Sequence, residues 1–266
     1  MSIIAAFMVP HPPLIIPQVG QGGEKQIETT IRSYEKVAET IASLKPETIV
    51  ISSPHSIMYS DWFHISPGAG ATGSFAEFGA PEVKFDVAYD SEFTSLLESN
   101  AAKAGFPAGC AGERKKALDH GTMVPLWFIQ QKYKDFKLVR TGLSGLSLRT
   151  HLEYGRLIKE TAERLSRRVV FIASGDLSHK LQKYGPYGFA KEGPEYDARI
   201  MDVCGHARFD ELLAFDEDFL ERAAECGHRS FAIMAGALEG ANVEATALSH
   251  EDVTGVGYGI CSFIVK

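Results

Sequence analysis

Apolar and polar positions along the chain alternate between two rhythms. Residues 2–9, apolar without a break after Ser2, read as a buried strand, cut off by Pro10, Pro12 and Pro13. Each proline removes a backbone donor, restricts φ and pushes its predecessor toward extended geometry. His11 therefore sits in a stiff, non-helical loop at the strand's end. Within residues 24–44, Ile27, Ile31, Tyr34, Ala38 and Ile41 recur at steps of three and four, the period of an amphipathic helix. Residues 47–53 are rich in β-branched side chains and predict a second strand, with His55 just beyond it.

Residues 62–88 predict a short strand, a glycine-rich loop ("SPGAGATGSF") and another strand. The glycines lack the strand-to-helix setting of a nucleotide fingerprint, which excludes that reading. A helix is predicted over 91–105, with Ser91 as N-cap and Gly105 as stop. Residues 118–133 open with Asp119, His120 and Gly121 and become an apolar helix. A strand (136–145), a helix (149–166) and a strand running into Gly175, Asp176 and His179 (168–179) follow. Residues 195–239 read as mostly helical, broken at 225–230. In the last strand, 255–265, Gly255, Gly257 and Gly259 share a face, which marks close packing.

Strands alternating with helices predict an α/β fold. A central, mostly parallel or mixed sheet would carry helices on both faces, with residues 1–266 as one domain. At 266 residues, 45% hydrophobic and 23% charged, the composition is that of a globular chain. The net charge of −7 and the lack of a basic patch argue against a nucleic-acid partner. No apolar run is long enough to span a bilayer, and the N-terminal run lacks the basic flank of a signal segment. Cys110, Cys204, Cys226 and Cys261 form no paired spacing, so a reducing, cytoplasmic setting is expected. Domains of this size often self-associate, and a homodimer is expected.

Three histidines change the picture. His11, His55 and His179 each follow a predicted strand, and His120 opens a helix. Ligand sites in open α/β sheets form outside the carboxyl ends of the strands, so parallel strands would gather the three on one rim. Neutral imidazole ligates divalent metals, and two histidines with one carboxylate leave open positions for non-haem iron chemistry. Glu225, in the helix break, is the candidate carboxylate. Cys226 is its rival, since a thiolate also ligates iron or zinc. Asp176 is placed to orient His179, and Arg229 and His228 are candidates for binding a substrate carboxylate.

The blocks "VPHPPL", "SSPHS", "LDHGTMVPL" and "ASGDLSH" resemble, in this order, those of the class III extradiol dioxygenase superfamily. Its reference is the catalytic subunit of protocatechuate 4,5-dioxygenase, and the nearest branch is the one related to Memo and AmmeMemoRadiSam proteins. The resemblance implies Fe(II) held by His11 and His55, His179 as the active-site base, and His120 binding substrate or dioxygen. Ring-cleaving members supply a glutamate as third ligand, whereas Memo-like members place a cysteine before a glycine; Glu225-Cys226-Gly227 offers both. The implied reaction is extradiol cleavage of a small catechol-type aromatic with O2. The alternatives are a Memo-like metal or redox protein linked to a radical-SAM system, and zinc-dependent hydrolysis on the same ligands.

Overall fold

The computed structural model describes residues 2–114 and 117–266. Six strands build the central sheet: β1 (Ile3–Val9), β2 (Thr48–Ser53), β3 (Lys137–Gly142), β4 (Val169–Ser174), β5 (Val243–Glu251) and β6 (Tyr258–Val265). Their order is β3-β2-β4-β1-β6-β5. The first four are mutually parallel, while β6 runs antiparallel to β1 and β5 antiparallel to β6. The sheet is therefore mixed, as the alternation of elements predicted.

Seven helices cover it: α1 (Glu28–Leu44), α2 (Ser91–Ala104), α3 (His120–Lys132), α4 (Leu148–Arg164), α5 (Glu192–Gly205), α6 (Glu217–Ala223) and α7 (His228–Leu238). Alternate side chains of each strand enter opposite layers. Phe7, Val9, Ile51 and Ile172 pack under α1 and α3, whereas Ala6, Met8, Val50 and Phe171 pack under α2 and α4 to α7. With both faces covered, the parallel strands read as continuous apolar runs.

Several elements depart from the sequence reading. The glycine-rich "loop" is a strand, Gly70–Phe75, paired antiparallel with Ala80–Ala88. Its glycines serve close packing: a Cβ on Gly73 would lie 2.7 Å from Met123 Sδ, and one on Gly70 2.4 Å from the Val87 carbonyl. The cap of α2 is Asp90, whose carboxylate accepts the Phe93 N–H at 3.2 Å, while Ser91 donates to the Gly68 carbonyl. α1 begins at Glu28, after a 3-10 turn over Gly23–Ile27. The helical stretch after 195 is also interrupted between α5 and α6, where Phe209–Ala214 is 3-10. Strand β5 was not predicted at all. It is an edge strand with no buried residue, so it lacks the apolar run of its neighbours.

Candidate metal centre

Because β2, β4 and β1 lie side by side and parallel, with Val9 opposite Ser174 and Ser52 opposite Ala173, their carboxyl ends form one rim. His11, His55 and His179 leave from that rim. The ring of His120, the first residue of α3, lies 4.0 Å from the ring of His55 and 5.4 Å from that of His11, measured between centroids. Nε2 of His11 and Nε2 of His55 are 3.0 Å apart.

The tautomer of His11 follows from its neighbours. The Ser174 hydroxyl donates its one proton to the Gly121 carbonyl at 2.6 Å. It can then only accept from His11, whose Nδ1 lies 3.0 Å away. Nδ1 thus carries the hydrogen, and the Nε2 lone pair faces His55. The same serine ties β4 to the first turn of α3. His11 is held further by its backbone N–H, which donates to Asp176 Oδ1 at 2.7 Å, and by Tyr34, whose hydroxyl donates to the Pro10 carbonyl.

His55 is exposed and is positioned through Asp119. Its N–H donates to Ser53 Oγ, which donates to Asp119 Oδ1 at 2.6 Å, and the same carboxylate caps α3 through the Thr122 N–H. Burial lowers the pKa of His11 well below its ordinary value, and the partial desolvation of the His55 ring lowers that one too. His120 is pushed down to about 4 by burial and by its two histidine neighbours. The rings are therefore neutral near pH 7, the form that ligates metal.

The third candidate donor comes from the turn before α7. Gly175 and Gly227 meet backbone to backbone, and a Cβ on Gly175 would lie 2.1 Å from Gly227 Cα. This contact brings the two loops into a ladder: the Asp176 N–H donates to Cys226 Sγ at 3.2 Å, and the Cys226 N–H to the Asp176 carbonyl at 3.3 Å. Cys226 Sγ lies 3.7 Å from His11 Nε2. One ligand atom each from His11, His55 and Cys226 falls within 4.8 Å of the others, and Asp176, His179 and Cys226 meet the same criterion.

Glu225 goes elsewhere. Its carboxylate accepts the His228 N–H at 2.5 Å, capping α7, and burial raises it to about 7. His228 is buried in the helical layer. Its Nε2–H donates to the Leu212 carbonyl at 2.9 Å, and Nδ1 accepts from the Tyr196 hydroxyl. Arg229 pairs with Glu217 at 3.4 Å. The structure thus gathers His11, His55, His120, His179, Asp176 and Cys226, and it directs the side chains of Glu225, His228 and Arg229 to other partners.

His179 faces the cluster in a defined tautomer. Its Nδ1–H donates to the Ala224 carbonyl at 2.6 Å, and its backbone N–H donates to the same oxygen. Nε2 is left as a proton acceptor. Ala224 adopts the left-handed conformation, φ 53°, and so directs its carbonyl at His179 two residues before Cys226. Asp176 is joined to His11 rather than to the ring Nδ1 of His179. Beside His55 and His120 opens a cleft of about 910 Å³, walled by Phe78, Phe85 and Met123. Ser174 and Ala224 were not singled out from the sequence. A polar residue closing the apolar strand "VVFIAS" was the available signal for the first, and a backbone carbonyl leaves none.

The chain matches, over residues 5–261, the family model described as the catalytic LigB subunit of aromatic ring-opening dioxygenase. With nearly its whole length matched, it belongs to that family. Among its relatives, protein CA_C1420 of Clostridium acetobutylicum is 38% identical over 98% of this chain. The chain spans only 57% of that protein's length. The 2-aminophenol 1,6-dioxygenase beta subunit of a Pseudomonas species is 25% identical over 97% of this chain and 93% of its own. A MEMO1 family protein of Methanosarcina acetivorans is 27% identical over 76% of this chain and 67% of its own. The crystal structure of Escherichia coli K12 protein JW3007 shares the fold, with a TM-score of 0.62 and 16% identity over 97% of this chain and 99% of its own. Among the described residues, no helix is long and apolar enough to cross a membrane.

Proposed function

We propose that the chain is a metal-dependent oxidoreductase that opens an aromatic ring bearing adjacent hydroxyl, or hydroxyl and amino, groups, using dioxygen. One observation carries this reading: two histidine Nε2 atoms 3.0 Å apart, one with its lone pair fixed by Ser174, face a thiol and a proton-accepting His179. The fixed lone pair of His11 is satisfied there either by an N–H of His55 or by one cation bound to both rings, and a flanking thiol is a donor for the cation. His11, His55 and Cys226 would hold Fe(II), with zinc as the competing ion.

Iron held by these residues would supply Lewis acidity toward the substrate and redox capacity toward dioxygen. The rest falls to the protein. His179 Nε2 takes the hydroxyl proton as the substrate binds, and the bond from Nδ1–H to the Ala224 carbonyl holds the ring in place as it becomes charged. His120, neutral near pH 7, directs a hydrogen bond at charge developing on the bound molecule. The cleft walled by Phe78, Phe85 and Met123 takes the apolar body of the ring.

The thiol donor favours a second reading, a Memo-like metal or redox protein without ring cleavage, because ring-cleaving relatives are expected to use a carboxylate there. The test is oxygen uptake by the Fe(II)-loaded protein with catechol, protocatechuate and 2-aminophenol, alongside metal content of variants. Ring cleavage predicts uptake with a coloured ring-opened product, abolished in His179→Ala. Cys226→Ala should lose stoichiometric metal while Glu225→Gln retains it; the reverse pattern would return the third ligand to Glu225. Bound metal without uptake on any of these compounds would leave the Memo-like reading, and turnover without oxygen would indicate hydrolysis.

A further inference from the structure

The loop that presents His179 is held from below by a carboxylate that takes no part in the metal cluster. Asp197, on α5, has a side chain only 2% exposed. Its Oδ1 accepts the Ser178 N–H at 2.9 Å, and its Oδ2 accepts from His250 Nε2 at 2.7 Å. His250 stands on the edge strand β5, so three elements distant in sequence meet at one carboxylate. Gly257 completes the arrangement: a Cβ there would lie 2.0 Å from Asp197 Oδ2. Its backbone accepts the Leu177 N–H and donates to the Ser178 carbonyl, both at 2.8 Å. Ser178 Oγ donates to the Ala223 carbonyl at 2.7 Å, next to the Ala224 carbonyl that receives His179 Nδ1–H.

We infer that Asp197, oriented by His250, is the positioning residue for His179. It fixes the Ser178–His179 backbone so that the imidazole meets the Ala224 carbonyl and keeps Nε2 free. The assignment of a base to His179 rests on the proposed function, but the positioning itself does not. A buried carboxylate with two directional bonds, one to the loop and one to an outside donor, sets an angle as well as a distance. Ladder contacts through Gly257 alone would leave the Ser178 N–H without a partner.

The test is long-range proton–nitrogen correlation spectroscopy on the full chain labelled in histidine nitrogen, with His179 assigned by its loss in His179→Gln. Wild type should show a single Nδ1–H tautomer for His179. His250→Ala, at a partly exposed site that tolerates truncation, should replace this pattern with the averaged pattern of two tautomers. His250→Gln should restore it, because the amide still donates to Oδ2. Asp197→Ala should reproduce the loss, and Asp197→Asn should retain the single tautomer through its remaining acceptor. In the Fe(II)-loaded protein, His250→Ala should lower kcat roughly tenfold or more with KM and metal content unchanged, in the range seen for outer-shell partners. A wild-type His179 pattern in both His250→Ala and Asp197→Ala would overturn the inference. If the pattern shifts but wild type opens no aromatic ring, the positioning stands and the assignment of His179 as a ring-cleavage base falls.

Discussion

Ser174 decides which nitrogen of His11 is free, and it does so with one hydroxyl proton. With that proton committed to the Gly121 carbonyl, the oxygen accepts from Nδ1–H, and Nε2 keeps its lone pair facing His55 and Cys226. Ser174→Ala should therefore lower metal affinity about 10–100-fold, the usual cost of removing a partner that orients a ligating histidine. Loss of both buried hydrogen bonds, which leaves their partners unsatisfied, should cost about 1–3 kcal/mol. Chelator competition checks the affinity and thermal unfolding checks the stability; unchanged affinity would mean that the tautomer is set elsewhere. At this scale His11, His55 and His179 were readable because each follows an apolar strand, and a ring at a strand's carboxyl end has few places to go. Glu225 and Cys226 were not separable, because adjacent residues in a turn leave in different directions and spacing carries no information about which. The structure separates them through partners: one caps α7 and the other meets His11.

Two glycine pairs set how the elements meet. Gly175 and Gly227 join the loop after β4 to the turn before α7, and Gly155 and Gly236 join α4 to α7. A Cβ on Gly236 would lie 1.9 Å from the Leu152 carbonyl, and one on Gly155 would lie 1.9 Å from the Ile233 carbonyl. These contacts are with backbone, which cannot swing aside. Gly236→Ala should destabilise by about 1–3 kcal/mol, the range for overpacking, despite the better helix propensity of alanine. Because α7 begins two residues after Cys226, the displaced helix should also weaken metal binding. Gly23→Ala, where the nearest atom is a glutamine side-chain nitrogen at 3.8 Å, serves as the control and should do neither. Unfolding midpoints and metal content of the three proteins decide this. The parallel strands were legible as long apolar runs, and the amphipathic faces of α1 and α4 as helical periods. Strand β5 and the Gly70–Phe75 strand were not, because an exposed edge and a glycine-rich contact both read as loop until the partner surface is known. Helix-interior glycines at 155 and 236 were the unused signal, since each opposes local propensity and needs a reason in packing.

Across the whole molecule, the three proposed ligands stand at positions 11, 55 and 226, on the ends of β1 and β2 and on the turn before α7. An unfolded chain holds no such constellation, so a metal bound there stabilises only the folded state. At a free metal concentration 100 times Kd, the linkage amounts to about 2.7 kcal/mol. With 1 kcal/mol shifting Tm by about 2–4 °C in domains near this size, loading should raise Tm by roughly 5–10 °C and a strong chelator should reverse it. The shift also distinguishes the donor sets. If Cys226 completes the centre, Cys226→Ala should lose most of the shift while Glu225→Gln, which keeps an acceptor oxygen for the His228 N–H, should keep it. Equal shifts in both variants would mean that the histidines alone hold the ion. Calorimetric scans of the three proteins, with and without added metal, read the contribution of the third ligand directly, independently of any substrate.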